Sequence, residues 1–173
     1  MRRTSPGNCA VSDALVINAS PLIFLGNAGR LDLLRATGFS RIIVPQAVFD
    51  EVTATQHSDR AAASLTEYDW IERVAPIDVS PTITEWDLGS GESAVIAVAL
   101  GIAGARPVID DLAARRCALA LGLDVIGTLG VVIAAHRSGR IEDARQVLLE
   151  IRAAGMWLSD AVIERALRLA PLK

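Results

Sequence analysis

The chain has 173 residues, with 17 Lys and Arg against 20 Asp and Glu for a net charge of −3, and is 51% hydrophobic and 21% charged. This excludes a disordered chain, leaves no basic footprint for duplex DNA or an anionic membrane, and gives length enough for one domain with a substantial core. The longest apolar run, Ala94 to Ala105, is short of a membrane span, Cys9 and Cys117 are too few for a disulfide framework or zinc site, and no apolar segment follows Arg2 and Arg3 to make a signal peptide, so a cytoplasmic protein is expected.

Residues 1–12 are polar, contain Pro6 and Gly7, and read as a loose tail ahead of a domain over 13–140. Ala14 to Ile17 is a short continuous apolar run, the pattern of a strand buried on both faces of a parallel sheet. Ser20 as cap and Pro21 at the first position then predict a helix to about Ala28, continued by Leu31 to Ala36. Arg41 to Val44 is the second strand. Pro45 opens a helix whose apolar face holds Val48, Phe49 and Val52, and Ser58 caps another that runs to Tyr68. Ile71 to Ala75 is a third strand, and 76–87 gives no clear element. After Gly89-Ser90-Gly91, a helix from Glu92 to Gly101 is apolar nearly all round, which places it against the centre of the sheet.

Arg106 to Ile109 is the fourth strand and ends in Asp110-Asp111. A helix over Ala113 to Leu121 stops at Gly122. Leu123 to Ile126 is the fifth strand, and Thr128 caps a helix ending near Gly139. Two amphipathic helices, Ile141 to Ala154 and Ser159 to Leu169, make a C-terminal element over 141–173. The alternation of strands and helices predicts an α/β fold: about five parallel strands with helices on both faces, in three layers. The C-terminal helices carry more apolar surface than one small sheet needs to cover, which points to a homodimer.

Open parallel sheets bind ligands at the carboxyl ends of their strands. The first strand ends at Asn18 and Ser20, and the fourth at Asp110 and Asp111, while Glu51 and Glu92 lie on helices expected to border the same edge. Like charges held together repel, and a divalent cation neutralises them; oxygen ligands suit Mg²⁺ or Mn²⁺, which can activate water against a phosphodiester. Two adjacent residues face opposite sides of a strand, so one of Asp110 and Asp111 meets such a metal, with Asp111 favoured. Acids in a first helical turn also serve as caps, a description that fits both Glu92 and Asp111. Arg115 and Arg116 begin the next helix and are candidates for phosphate contact. His57 and His136 lack triad partners, Cys117 reads as core, and Trp70, Trp86 and Trp157 are isolated aromatics that form no stacking platform and read as core or interface. A nucleotide-binding module is the weakest alternative, because Gly89-Ser90-Gly91 lacks the lysine and spacing of a phosphate loop.

Five segments in order resemble the PIN-domain nucleases, in the branch of small prokaryotic toxin-like proteins. They are Val16 to Ile23, Val44 to Val52, Leu88 to Ala94, Val108 to Arg116 and Gly122 to Val131. The resemblance covers roughly 14–140. It implies a Mg²⁺- or Mn²⁺-dependent ribonuclease, the toxin of a type II pair with an antitoxin protein. Carried onto this chain, Glu51, Glu92 and Asp111 are metal-site acids, with Asp110 a second candidate at the fourth station and Ser20 holding the metal or a water. The chain departs from the family at the first station, where Asn18 replaces the usual aspartate. Asparagine still offers a carbonyl oxygen but no charge, so a catalytically impaired binding module acting on RNA or a protein partner is the alternative.

Overall fold

The computed structural model describes residues 13–54 and 59–169. The expected tail at 1–12, the cap Ser58 and His57 lie outside the described residues. Four strands, β1 (Ala14–Ile17), β2 (Arg41–Pro45), β3 (Ile71–Val74) and β4 (Arg106–Val108), form a parallel sheet in the order β3-β2-β1-β4. Val16 stands opposite Ile43 on one side and Pro107 on the other. All four residues of β1 are completely buried, as its unbroken apolar run requires of a central parallel strand.

The expected fifth strand is a correction: Leu123 to Ile126 contributes one parallel bridge, Val108↔Ile126, beyond β4. The Ile126 N–H donates to the Pro107 carbonyl (3.1 Å) and the Ile109 N–H to the Ile126 carbonyl (2.9 Å). The ladder stops there because the next donor on that edge of β4 would be Pro107, which has no N–H. The Leu123 N–H is already spent on the Ala118 carbonyl (3.0 Å).

Ten helices among the described residues flank this sheet. They are α1 (Ala19–Asn27), α2 (Asp32–Ala36), α3 (Gln46–Ala54), α4 (Asp59–Glu67), α5 (Pro81–Thr84), α6 (Ser90–Leu100), α7 (Leu112–Ala120), α8 (Thr128–Arg137), α9 (Ala144–Ala153) and α10 (Asp160–Arg168). α6 packs across β1, β2 and β4, the central place that its all-round apolar sequence predicts. α9 packs on α1 and α8 with Val147, Leu148 and Ile151 buried, and α10 packs on α8 and α9 with only Ile163 and Ala166 buried. Boundaries differ from expectation by one to three residues. Pro45 closes β2 instead of opening α3, and α1 begins at Ala19, so Asn18 rather than Ser20 holds the cap position. Pro21 is still in the first turn, where a missing N–H breaks no helical bond. No helix among the described residues is long and apolar enough to cross a membrane.

Candidate active site at the carboxyl edge of the sheet

In the order β3-β2-β1-β4, with Ile126 bridged beyond β4, the direction of succession reverses between β1 and β4, and that crevice is where open α/β sheets place their ligands. Asn18 leaves β1 at one side, and Asp110 and Asp111 leave β4 at the other. The Asn18 N–H donates to the Val108 carbonyl at 3.1 Å and holds the two strand ends together at this point.

Asn18 is 4% exposed, and its Oδ1 is buried without any hydrogen-bond partner. A buried acceptor left empty costs about 1–3 kcal/mol. The backbone at Asn18 is extended (φ −84°, ψ 166°), as an N-cap residue should be, yet its side chain makes no cap bond to α1.

Glu51 reaches the same place from α3 and Glu92 from α6, two helices that pack directly on one another. At Gly91 of α6 a Cβ would stand 2.6 Å from Glu51 Oε2, 3.4 Å from Val48 Cγ2 and 3.6 Å from Asn18 Oδ1. The glycine leaves room for the Glu51 carboxylate, which with Asn18 Oδ1 flanks one point. Burial pushes the Glu51 carboxyl above the ordinary range, and the Glu92 charge pushes it further. Glu92 Oε2 also accepts the Gly89 N–H at 3.1 Å, closing a capping box at the start of α6. That bond uses the Gly89 N–H internally.

The remaining candidates have other partners. Asp110 accepts from the Thr128 N–H through Oδ1 (2.8 Å) and from the Thr128 hydroxyl through Oδ2 (2.6 Å), tying the end of β4 to the start of α8. Asp111 caps α7, its Oδ1 accepting the Ala114 N–H at 2.9 Å. Arg115 Nη1 donates to the Ile109 carbonyl at 2.7 Å. Ser20 and Arg116 are exposed. Thr128, expected as the cap of α8, is its completely buried first residue and holds Asp110, while Gly91 as a close-packing glycine is the participant that sequence reasoning missed.

The residues fit a hard cation in part. An empty buried amide oxygen and two mutually repelling carboxylates make an oxygen donor set of the kind Mg²⁺ or Mn²⁺ takes. Among the described residues, no three His, Cys, Asp or Glu side chains stand together as a ready-made metal cluster. Cys117 is buried core, Trp70 stacks on Tyr68 with ring centroids 5.0 Å apart, and Trp157 is 86% exposed.

A family profile described as a PIN domain matches residues 14–171. The chain belongs to the PIN-domain family, a nuclease fold. No curated protein matches the sequence.

Proposed function

We propose that this chain is a metal-dependent endoribonuclease that hydrolyses RNA phosphodiesters in the cytoplasm, as the toxin of a type II toxin–antitoxin pair. The observation that carries the reading is the partnerless Oδ1 of Asn18, buried beside the Glu51–Glu92 pair at the switch point of a PIN fold. Asn18, Glu51 and Glu92 would hold Mg²⁺ or Mn²⁺, with Asp111 completing the shell from the other side of the crevice. The cation supplies charge neutralisation at the phosphate and a water acidic enough to attack it. Asn18 contributes an oriented neutral oxygen, and Glu51, already reluctant to carry its charge, gains most from a cation. Asp110 holds the end of β4 to α8 and positions Asp111 beside it. Ser20 and Arg116 offer exposed polar groups to phosphate oxygens at the rim.

The test is cleavage of single-stranded RNA by the purified chain with Mn²⁺ or Mg²⁺, compared with Glu51→Gln and Asp111→Asn. Cation-dependent cleavage that falls about a hundredfold or more in both variants supports the assignment. Equal cleavage by all three proteins overturns it.

A second reading, a PIN-like module that binds RNA or a protein without cutting, is favoured by the neutral Asn18 and by the lack of a three-acid cluster among the described residues. Calorimetry separates the two, since Mn²⁺ binding that disappears with Glu51→Gln contradicts the binding-only module. Homodimerisation through the C-terminal helices also belongs to the proposal, and Trp157, standing exposed between α9 and α10, is the natural contact. A monomeric mass by light scattering at micromolar concentration removes it.

A further inference from the structure

A groove of about 1070 Å³ runs between α8 and α10, lined from α8 by Leu129, Ile133 and Arg137 and from α10 and its cap by Val162, Arg165 and Leu169. We propose that this groove docks an acidic amphipathic helix of a partner protein.

The lining residues recur at helical spacing. On α8 they are four apart, and on α10 three and then four apart, so each helix turns one continuous stripe towards the groove. The floor is aliphatic, and among the described residues its α10 side is open, with Val162 38% and Leu169 60% exposed, while Ile133 on the α8 side is 9% exposed. Two facing helical stripes with apolar floors are the receptor half of a helix-in-groove contact, in which a third helix lays down its own apolar stripe.

Charge selects the occupant. Three arginines, Arg106, Arg137 and Arg165, line the groove, and none of the described residues lining it is Asp or Glu, although the whole chain carries a net charge of −3. Arg106 is paired with Asp124, and Arg137 donates to the Leu169 carbonyl. Arg165 makes no hydrogen bond or ion pair with any described residue, so its charge is available to a ligand. Cations along the rim of an apolar floor complement a helix that is apolar on one face and carries glutamate or aspartate on its flanks. RNA is the poorer match. Phe39 is the one aromatic lining the groove among the described residues, and its ring is covered by the Arg106 guanidinium (5.6 Å to the centroid), which leaves no open platform for stacked bases.

The groove is independent of the cation site, and so is its test. A fluorescein-labelled synthetic helix of about 16 residues, with leucines at i, i+3, i+4 and i+7 spacing and glutamates on both flanks, is titrated with the full chain by fluorescence anisotropy. A lysine-flanked counterpart serves as control. The glutamate peptide is expected to bind with a Kd of about 10–100 µM, more weakly as salt rises, and the lysine peptide not to bind. Arg165→Glu is expected to weaken binding about tenfold or more with an unchanged melting curve, since Arg165 supports no described contact. Leu169→Ser should weaken it too. The proposal is overturned by absent binding of the glutamate peptide, by equal binding of both peptides, or by indifference to Arg165→Glu. It also fails if single-stranded RNA displaces the peptide and is itself lost with Arg165→Glu, or if light scattering shows a dimer that Arg165→Glu dissociates.

Discussion

Gly91→Ala separates the proposed cation site from the stability of the fold. A Cβ at this position would stand 2.6 Å from Glu51 Oε2, whereas carbon and oxygen rest at about 3.5 Å, so the carboxylate must retreat by about 1 Å. Val48 Cγ2, at 3.4 Å, need hardly move, and the atom that must give is the far end of a flexible side chain. The fold therefore loses little. Alanine gains about 0.5–1 kcal/mol over glycine in a helix, and an off-rotamer Glu51 returns about the same. The melting temperature of the cation-free protein should stay within about 4 °C of wild type. Cation binding should suffer far more, because Mg²⁺ holds its ligands at about 2.1 Å in strict geometry and a carboxylate displaced by 1 Å drops out of the shell. At a cation concentration a hundred times the wild-type Kd, wild type gains about 2.7 kcal/mol of stability, and a variant binding tenfold more weakly about half of that. The assay is a pair of thermal melts with and without Mg²⁺, with Mn²⁺ calorimetry beside them. Cation affinity equal to wild type in a stably folded Gly91→Ala protein would refute the reasoning.

The raised Glu51 carboxyl gives a pH test. Its cost to the folded state is absent below the ordinary glutamate pKa and grows as pH rises through the higher folded value. Without cation, Glu51→Gln should therefore gain on wild type in urea unfolding as pH rises from about 4 towards 7, and show no gain below about pH 4. Asn18→Asp places a carboxylate in a 4% exposed position beside two others; it should lower the cation-free melting temperature by the equivalent of about 1–3 kcal/mol and raise Mn²⁺ affinity about tenfold or more, measured by melts and calorimetry. Asp110→Ala removes the acceptor of both the Thr128 N–H and its hydroxyl. It should cost about 2–4 kcal/mol in denaturant unfolding while leaving Mn²⁺ affinity within about threefold of wild type, and a large loss of affinity with little loss of stability would make Asp110 a ligand instead.

The fold was legible where pattern and burial agree. The apolar run of β1 and the all-round apolar α6 announced their central places, because only a position covered on every side tolerates such sequences. The fifth strand misled because its alternatives are decided by backbone donors: Pro107 lies in the neighbouring strand and Leu123 closes the preceding helix, and neither fact is visible in the segment itself. At the proposed site, Glu51 and Glu92 are candidates because they lie on helices that border the strand ends and because they match the PIN-domain stations. That Asp110 would be consumed by Thr128 could not be read from the sequence, since a carboxylate at a strand end looks the same whether its neighbour is a cation or a buried hydroxyl. Gly91 is legible only as part of the Leu88 to Ala94 segment and of a glycine pair without the lysine of a phosphate loop, and the room it leaves for a side chain from α3 depends on a contact between residues about forty apart.

The hydrogen bonds that are missing rank the candidate ligands better than charge does. Asn18 occupies the cap position of α1 with suitable backbone angles, and asparagine is among the best capping residues, yet it forgoes a bond worth about 1 kcal/mol and leaves its oxygen empty in a dry place. Asp111, in the equivalent position of α7, takes its cap bond at 2.9 Å, as does Asp143 for α9 at 3.0 Å. Ser159 likewise caps α10, and Ser80, which forgoes its cap bond at α5, is exposed so that its hydroxyl meets water, whereas the Asn18 oxygen is buried. At Asn18 the fold accepts an empty acceptor next to a carboxyl whose charge is disfavoured by burial and by Glu92. Both costs fall on one point beside Gly91, and a single cation there would cancel both. By the same reasoning Asp111, already partnered through one oxygen, is the weaker ligand, so Asp111→Asn should reduce Mn²⁺ affinity less than Glu51→Gln does. The reverse order in calorimetry would shift the proposed centre from the α3–α6 contact to the end of β4.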